Sequence, residues 1–107
     1  MTNARIVLTT IGSKELAEVL ARQLVERRVA ACVNIVGPMR SVYRWKENIE
    51  HEDEYLLLIK TTAEHASRLH AIFKELHPYE LPECVELAIE AGSDAYLAWL
   101  ANEVGEP

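Results

Sequence analysis

The stretch VAACVNIVGPMRSVYRWKENIEHEDEYLLLIKT, residues 29–61, decides the architecture. Val29–Val36 is apolar on both faces apart from Asn34, the pattern of a strand inside a sheet. Gly37-Pro38 punctuates it, and alternation resumes from Arg40 to Lys46. There Val42 and the basic residues Arg40, Arg44 and Lys46 share one parity, while Ser41, Tyr43 and Trp45 share the other. Glu47-Asn48 is the expected hairpin tip, and the chain returns from Ile49 to Thr61 through the apolar run Tyr55–Ile59. Both strands exceed the usual length of about five to six residues. A ribbon that leaves Tyr43 and Trp45 in water invites aggregation. Pairing with a second subunit is the expected remedy, because burying a large apolar side chain contributes about 1.5–3 kcal/mol. The competing arrangement covers these residues with the last helix of the same chain.

Outward from this hairpin, the elements fall into two halves. Ile6–Thr10 reads as a strand, Gly12 breaks it, and Ser13 caps a helix from Lys14 to about Arg27. Leu16, Val19, Leu20, Gln23 and Leu24 follow helical spacing on its packing face. On the other side, Thr61 and Glu64 form a capping-box pattern before a helix from Ala63 to about Leu76. His77-Pro78 ends that helix, because a residue before proline avoids the α region. Cys84–Ala91 reads as a strand with Val85, Leu87 and Ile89 inward and Glu86 and Glu90 outward. Ser93 caps a last helix, Asp94 to about Val104, whose packing residues are Tyr96, Trp99 and Leu100. The order βαββαβ plus a C-terminal helix is an α+β, ferredoxin-like arrangement in a single domain, residues 1–107.

Composition narrows the function. With 11 basic and 17 acidic residues the net charge is −6, and no basic stripe tracks phosphates, so nucleic-acid binding is not expected. Met1–Arg5 carries no secretory leader pattern and no apolar run is long enough to span a bilayer, which gives a cytoplasmic expectation with no membrane partner. Cys32 and Cys84 lie in separate strands without CxxC spacing and read as small buried hydrophobes. Nucleotide-binding glycine motifs and the G-x-S-x-G elbow are absent.

The densest polar cluster is His77-Pro78-Tyr79-Glu80-Leu81-Pro82-Glu83. Two prolines stiffen a loop that presents an imidazole, a phenol and two carboxylates, a mixture that suits a divalent metal or an acid/base pair. The same loop also reads as a rigid connector whose polar groups cap backbone. His51, His65 and His70 read as solvated surface residues, and the run Glu50, Glu52, Asp53, Glu54 as a solvated acidic face. Lys60 ends an apolar strand and points toward a cleft, with Glu80 or Glu83 as its candidate partner.

Several segments together resemble the CutA divalent-cation tolerance family. These are Ala30–Ile35, Ser41–Lys46 with Ile49-Glu50, Leu58–Thr61, His77–Glu80 with Pro82-Glu83, and Tyr96–Leu100. The resemblance implies a homotrimer similar to the PII signalling proteins, with hairpin strands paired between subunits. It implies clefts lined by Tyr43, Trp45, Lys60, Tyr79 and Glu80, with His77 as the metal residue. Copper(II) or another divalent cation is the implied ligand, with none required for folding. Copper-binding members can carry Cys where this chain has Thr9 and His where it has Leu76, so of that trio only His77 remains. Two other readings stand beside this one: an enzyme using the cleft, with His77 or Glu80 as acid/base and Lys60 holding an anion, and a trimeric scaffold without a small ligand.

Overall fold

The computed structural model describes residues 2–105. Its elements are β1 (Ala4–Ile11), α1 (Lys14–Glu26), β2 (Cys32–Trp45), β3 (Asn48–Thr62), α2 (Ala63–Leu76), β4 (Val85–Ala88) and α3 (Asp94–Glu103). All strand pairs are antiparallel, in the order β2-β3-β1-β4, which is the ferredoxin-like sheet. The helix-facing side of the sheet carries Val7, Ile11, Leu57 and Ile59, packed on Leu20 and Leu24 of α1 and Leu69 and Phe73 of α2. Ser13 caps α1 by accepting from the Leu16 N–H, and Ser93 caps α3 by accepting from the Tyr96 N–H.

The other face has no helix over most of it. The registers set Val85, Leu8, Leu58 and Asn34 in one cross-strand row, and Leu87, Ile6, Lys60 and Cys32 in the next. Val85 and Leu87, expected inward, are 45% and 47% exposed. They do share a face with the apolar residues of β1 and β3, but among the described residues no helix lies over this part of it. Helix α3 packs only at one end, where Leu100 and Val104 meet Ala4 with Ala31 and Ile89 alongside. Of the three expected packing residues of α3, Leu100 alone is buried. Tyr96 and Trp99 stack on each other and stay exposed. The arrangement in which the last helix covers the hairpin is thereby overturned, because α3 sits at the Ala4 end of β1 and the hairpin leaves from the Ile11 end.

Other expectations shift in detail. The buried stripe of α1 is Ala17, Leu20, Ala21 and Leu24, so Leu16 and Val19 face solvent. Thr62, not Thr61, is the N-cap of α2, and Thr61 instead donates its hydroxyl to the Val29 carbonyl at 2.6 Å. The hairpin tip is Lys46-Glu47, both with positive φ, because Trp45 pairs with Asn48. Val29 and Ala30 are buried ahead of β2, which runs unbroken through Gly37-Pro38 as a bulge between Val36 and Met39. One extra residue there changes the parity of the strand. Met39, Ser41, Tyr43 and Trp45 therefore lie on the face that carries Cys32, Asn34 and Val36 lower down.

Gly37 makes this bulge possible. At φ 156° an added Cβ would stand 2.7 Å from the Tyr55 ring and 3.0 Å from the Glu54 carbonyl. Gly37→Ala is expected to destabilise the chain by about 1–3 kcal/mol through this overpacking. Urea unfolding measures it, and an unchanged midpoint would contradict the packing described.

Candidate functional site

Beyond Tyr55, β3 has lost its partner β1, and β2 and β3 continue as a two-stranded ribbon. The His77–Glu83 loop turns back beside the base of this ribbon. Between them lies a groove of about 860 Å³. Tyr43 and Trp45 come to it from β2, Glu52 and Glu54 from β3, and Tyr79 and Glu80 from the loop. Four of the six residues expected at the site thus meet in one place: Tyr43, Trp45, Tyr79 and Glu80.

His77 does not line the groove. It lies behind Tyr79, buried, between Phe73 and Tyr79 at ring distances of 5.5 and 4.9 Å. Its Nε2 is 3.0 Å from the Thr10 carbonyl oxygen, which can only accept, so Nε2 carries the proton. Its Nδ1 accepts from the Tyr79 backbone N–H at 3.2 Å. The Thr9 hydroxyl, where the resemblance places a thiol, is 3.1 Å from Nε2 and fully buried. Leu76 packs against the main core. Both ring nitrogens of His77 are therefore in use, and the ring is held as one neutral tautomer.

Burial is the larger cause that lowers the His77 pKa; the Thr10 carbonyl and the Glu54 charge oppose it. The sign of the consequence follows. The unfolded ring takes up a proton near its ordinary value of 6.5, and the folded ring only at lower pH. The unfolded chain then binds more protons, so stability is lost as pH falls through about 6.5. Urea midpoints at about pH 7.5 and about pH 5.5 should separate more in the wild type than in His77→Gln. Equal separations would contradict a buried neutral ring.

Glu54 is the residue that sequence reading missed. It is 5% exposed, and its carboxylate accepts from the Tyr79 hydroxyl at 2.6 Å. Burial and then this bond raise the Tyr79 pKa, so the phenol stays protonated as the donor. Partial burial, then Glu52, Glu54 and Glu50, raises that of Tyr43 in the same way. Among the described residues no Lys, Arg or His nitrogen lies within ion-pair distance of Glu54; the ion pairs are Arg5–Glu86, Arg22–Glu26, Arg27–Glu75 and Arg40–Asp53.

Lys60 is not at the groove. It lies six residues from Glu54 along β3, about 20 Å at the rise of a strand. It sits on the open face between Ile6 and Cys32 and pairs with neither Glu80 nor Glu83. His51 and His70 are exposed, and His65 Nδ1 lies 3.0 Å from the Thr62 hydroxyl. Cys32 and Cys84 are free and half-buried, and burial pushes the Cys84 thiol up. Among the described residues no three His, Cys, Asp or Glu side chains converge to hold a metal ion, and no helix is long and apolar enough to cross a membrane.

A family model described as CutA1 divalent ion tolerance protein matches residues 5–103. The divalent-cation tolerance protein CutA of Thermus thermophilus is 46% identical over 100 residues, which cover 94% of this chain and 97% of that one. A chloroplastic CutA protein of Arabidopsis thaliana is 39% identical over 97 residues, and the chain spans 53% of its length. The solved structure of the Thermus thermophilus Cut A1 protein superposes with a TM-score of 0.91 at 45% identity, covering 95% of this chain and 99% of that chain.

Proposed function

The chain belongs to the CutA1 divalent ion tolerance family, and from that premise we propose that it works as a homotrimer whose grooves take a divalent cation or a small ligand. The observation that carries this is the open sheet face. Val36, Val85 and Leu87 on that face are all more than two-fifths exposed. Contiguous apolar surface of this kind marks an interaction site. Lys60 stands in the middle of that face, so in the assembly it would reach the groove of a neighbouring subunit rather than its own. Tyr43, Trp45, Tyr79 and Glu80 would wall the groove, and the cytoplasm is the proposed compartment.

The donors that face the groove are carboxylate and phenol oxygens, which suit hard cations better than copper. His77 does not fit as a ligand while its Nδ1 accepts from Tyr79 and its Nε2 carries a proton. Its proposed part is to hold the Tyr79 segment in place. Native mass spectrometry with calorimetric titration of copper(II) and magnesium chlorides tests the reading. A trimer that takes up either ion, with less heat in a Tyr43→Ala/Tyr79→Ala variant, supports it. A monomeric mass overturns the assembly, and a trimer silent to both salts overturns the cation part alone.

A further inference from the structure

We propose that α3 of a neighbouring copy closes this groove. Tyr96 and Trp99 of the partner subunit would sit on its rim against Tyr43 and Leu81, so the outer wall of the site comes from the partner. This rests on the proposed assembly, in which Lys60 reaches a neighbouring groove.

The first ground is α3 itself. Every residue from Ala95 to Ala101 is apolar or aromatic. A helix that is apolar all round belongs in an interior. Among the described residues only the side with Leu97, Leu100 and Val104 is covered, against Ala4 and Ile89. Tyr96 and Trp99, with ring centres 5.5 Å apart, stand exposed on another side. The ribbon of the same chain cannot reach them. The eight residues of β1 separate the α3 end of the sheet from the ribbon end, about 25 Å at the rise of a strand.

The second ground is what stands beside α3. Lys60 lies two residues, about 7 Å, from Thr62, whose partner Ala4 packs under Leu100. The Lys60 carbonyl accepts from the Ala31 N–H at 2.9 Å, and Ala31 packs on the same α3 cluster. Lys60 and α3 thus belong to one surface, and a copy that presents the one presents the other. Charge directs that surface. Among the described residues no carboxylate lies within ion-pair distance of Lys60. Glu52, Glu80 and Glu83 border the groove, and Arg44 alone opposes them. Opposite charges of this kind steer a contact and fix its register. The groove also has an apolar rim, since Leu81 is 71% exposed and Tyr43 stands exposed beside it. Aromatic rings from the two copies then bury each other, as tyrosine and tryptophan do at the centre of well-packed interfaces.

The test uses two cysteine pairs, Leu81→Cys/Trp99→Cys and Tyr43→Cys/Trp99→Cys, each in a Cys32→Ser/Cys84→Ser chain. Native mass spectrometry counts subunits, and a non-reducing gel after treatment with a short bismaleimide reads covalent links. At least one pair should give linked dimers and larger species, and no single-cysteine variant should. Trp99→Ala should weaken the oligomer by about tenfold or more in dissociation constant, as truncation of a buried tryptophan anchor does, at an unchanged circular dichroism spectrum. Should the cysteine variants fail to assemble, Trp45→Phe leaves Trp99 as the one tryptophan of the chain. Its fluorescence should then be shielded from iodide in the oligomer. An intact oligomer with no link from either pair overturns the inference. So does an unchanged dissociation constant in Trp99→Ala, or free quenching of Trp99 in the assembled protein. A monomeric wild-type mass defeats the assembly reading itself.

Discussion

Replacing Val85 and Leu87 together by aspartate is expected to turn the proposed oligomer into a folded monomer. Both side chains lie on the open sheet face, in rows with Leu8 and Leu58 and with Ile6 and Lys60. Each is nearly half exposed in the single chain, so the substitutions remove little that the chain itself uses. In an assembly the same side chains are covered, and each contributes about 1.5–3 kcal/mol. Two lost per subunit, with two carboxylates now facing an apolar surface, weaken each contact by more than about 3 kcal/mol, over two orders of magnitude in dissociation constant. Light scattering reads the mass and far-ultraviolet circular dichroism reads the fold. An unchanged mass would show that this face is not the interface.

The other large effect is expected inside the chain. Phe73 is 1% exposed, in the cluster that joins α2 to the sheet and to α1. Phe73→Ala is expected to cost about 3–5 kcal/mol, the usual range for emptying an aromatic site. Against a total of about 5–15 kcal/mol for a domain, this is a large share. The same ring stacks edge-on to His77 at 5.5 Å, so the loss should also loosen the loop that carries Tyr79. Urea unfolding gives the first quantity. The nitrogen chemical shifts of the His77 ring give the second, through averaging of its tautomers. A loss below about 1 kcal/mol would contradict the core described, since that is about what one buried methylene contributes.

Element order and most helix ends were legible because local chemistry sets them. Ser13 and Ser93 do cap their helices, and α2 stops at Leu76 before His77-Pro78. What was not legible depends on which side of a pattern gets covered. Alternation in β4 shows that Val85 and Leu87 share a face, but not that the chain leaves this face bare. Spacing in α1 allowed Leu16 and Val19 on the packing side, and the smaller Ala17 and Ala21 took it because close approach to the sheet favours them. The bulge at Gly37-Pro38 was read as a break between two strands. Glu54 was hidden in an acidic run that reads as solvated. Its signal was its position, next to the apolar run Tyr55–Ile59 and on the parity of Leu56 and Leu58. Only the loop folding back, with Tyr79 over it, buries it. Tyr43, Trp45, Tyr79 and Glu80 were expected together only through the family resemblance; parity marks the two aromatics and the prolines mark the loop, but neither pattern says that strand and loop meet. The pairing of Lys60 with Glu80 or Glu83 fails within the chain because strand length, about 20 Å from Glu54, cannot be judged from an apolar run alone.

The sheet ends in two unlike edges, β2 on one side and β4 on the other. β2 carries Arg44, while Glu83 and Glu90 flank β4, and Arg40 and Glu86 are already paired with Asp53 and Arg5. Two copies joined β2 to β2 would set arginine against arginine. Joined head to tail, β2 to the β4 edge of the next copy, they set arginine against glutamate. Head-to-tail contacts generate either a closed ring or an open filament, depending on the rotation per step. In such a head-to-tail assembly the rotation per step is as consequential as the affinity, since it separates a finite particle from a fibre.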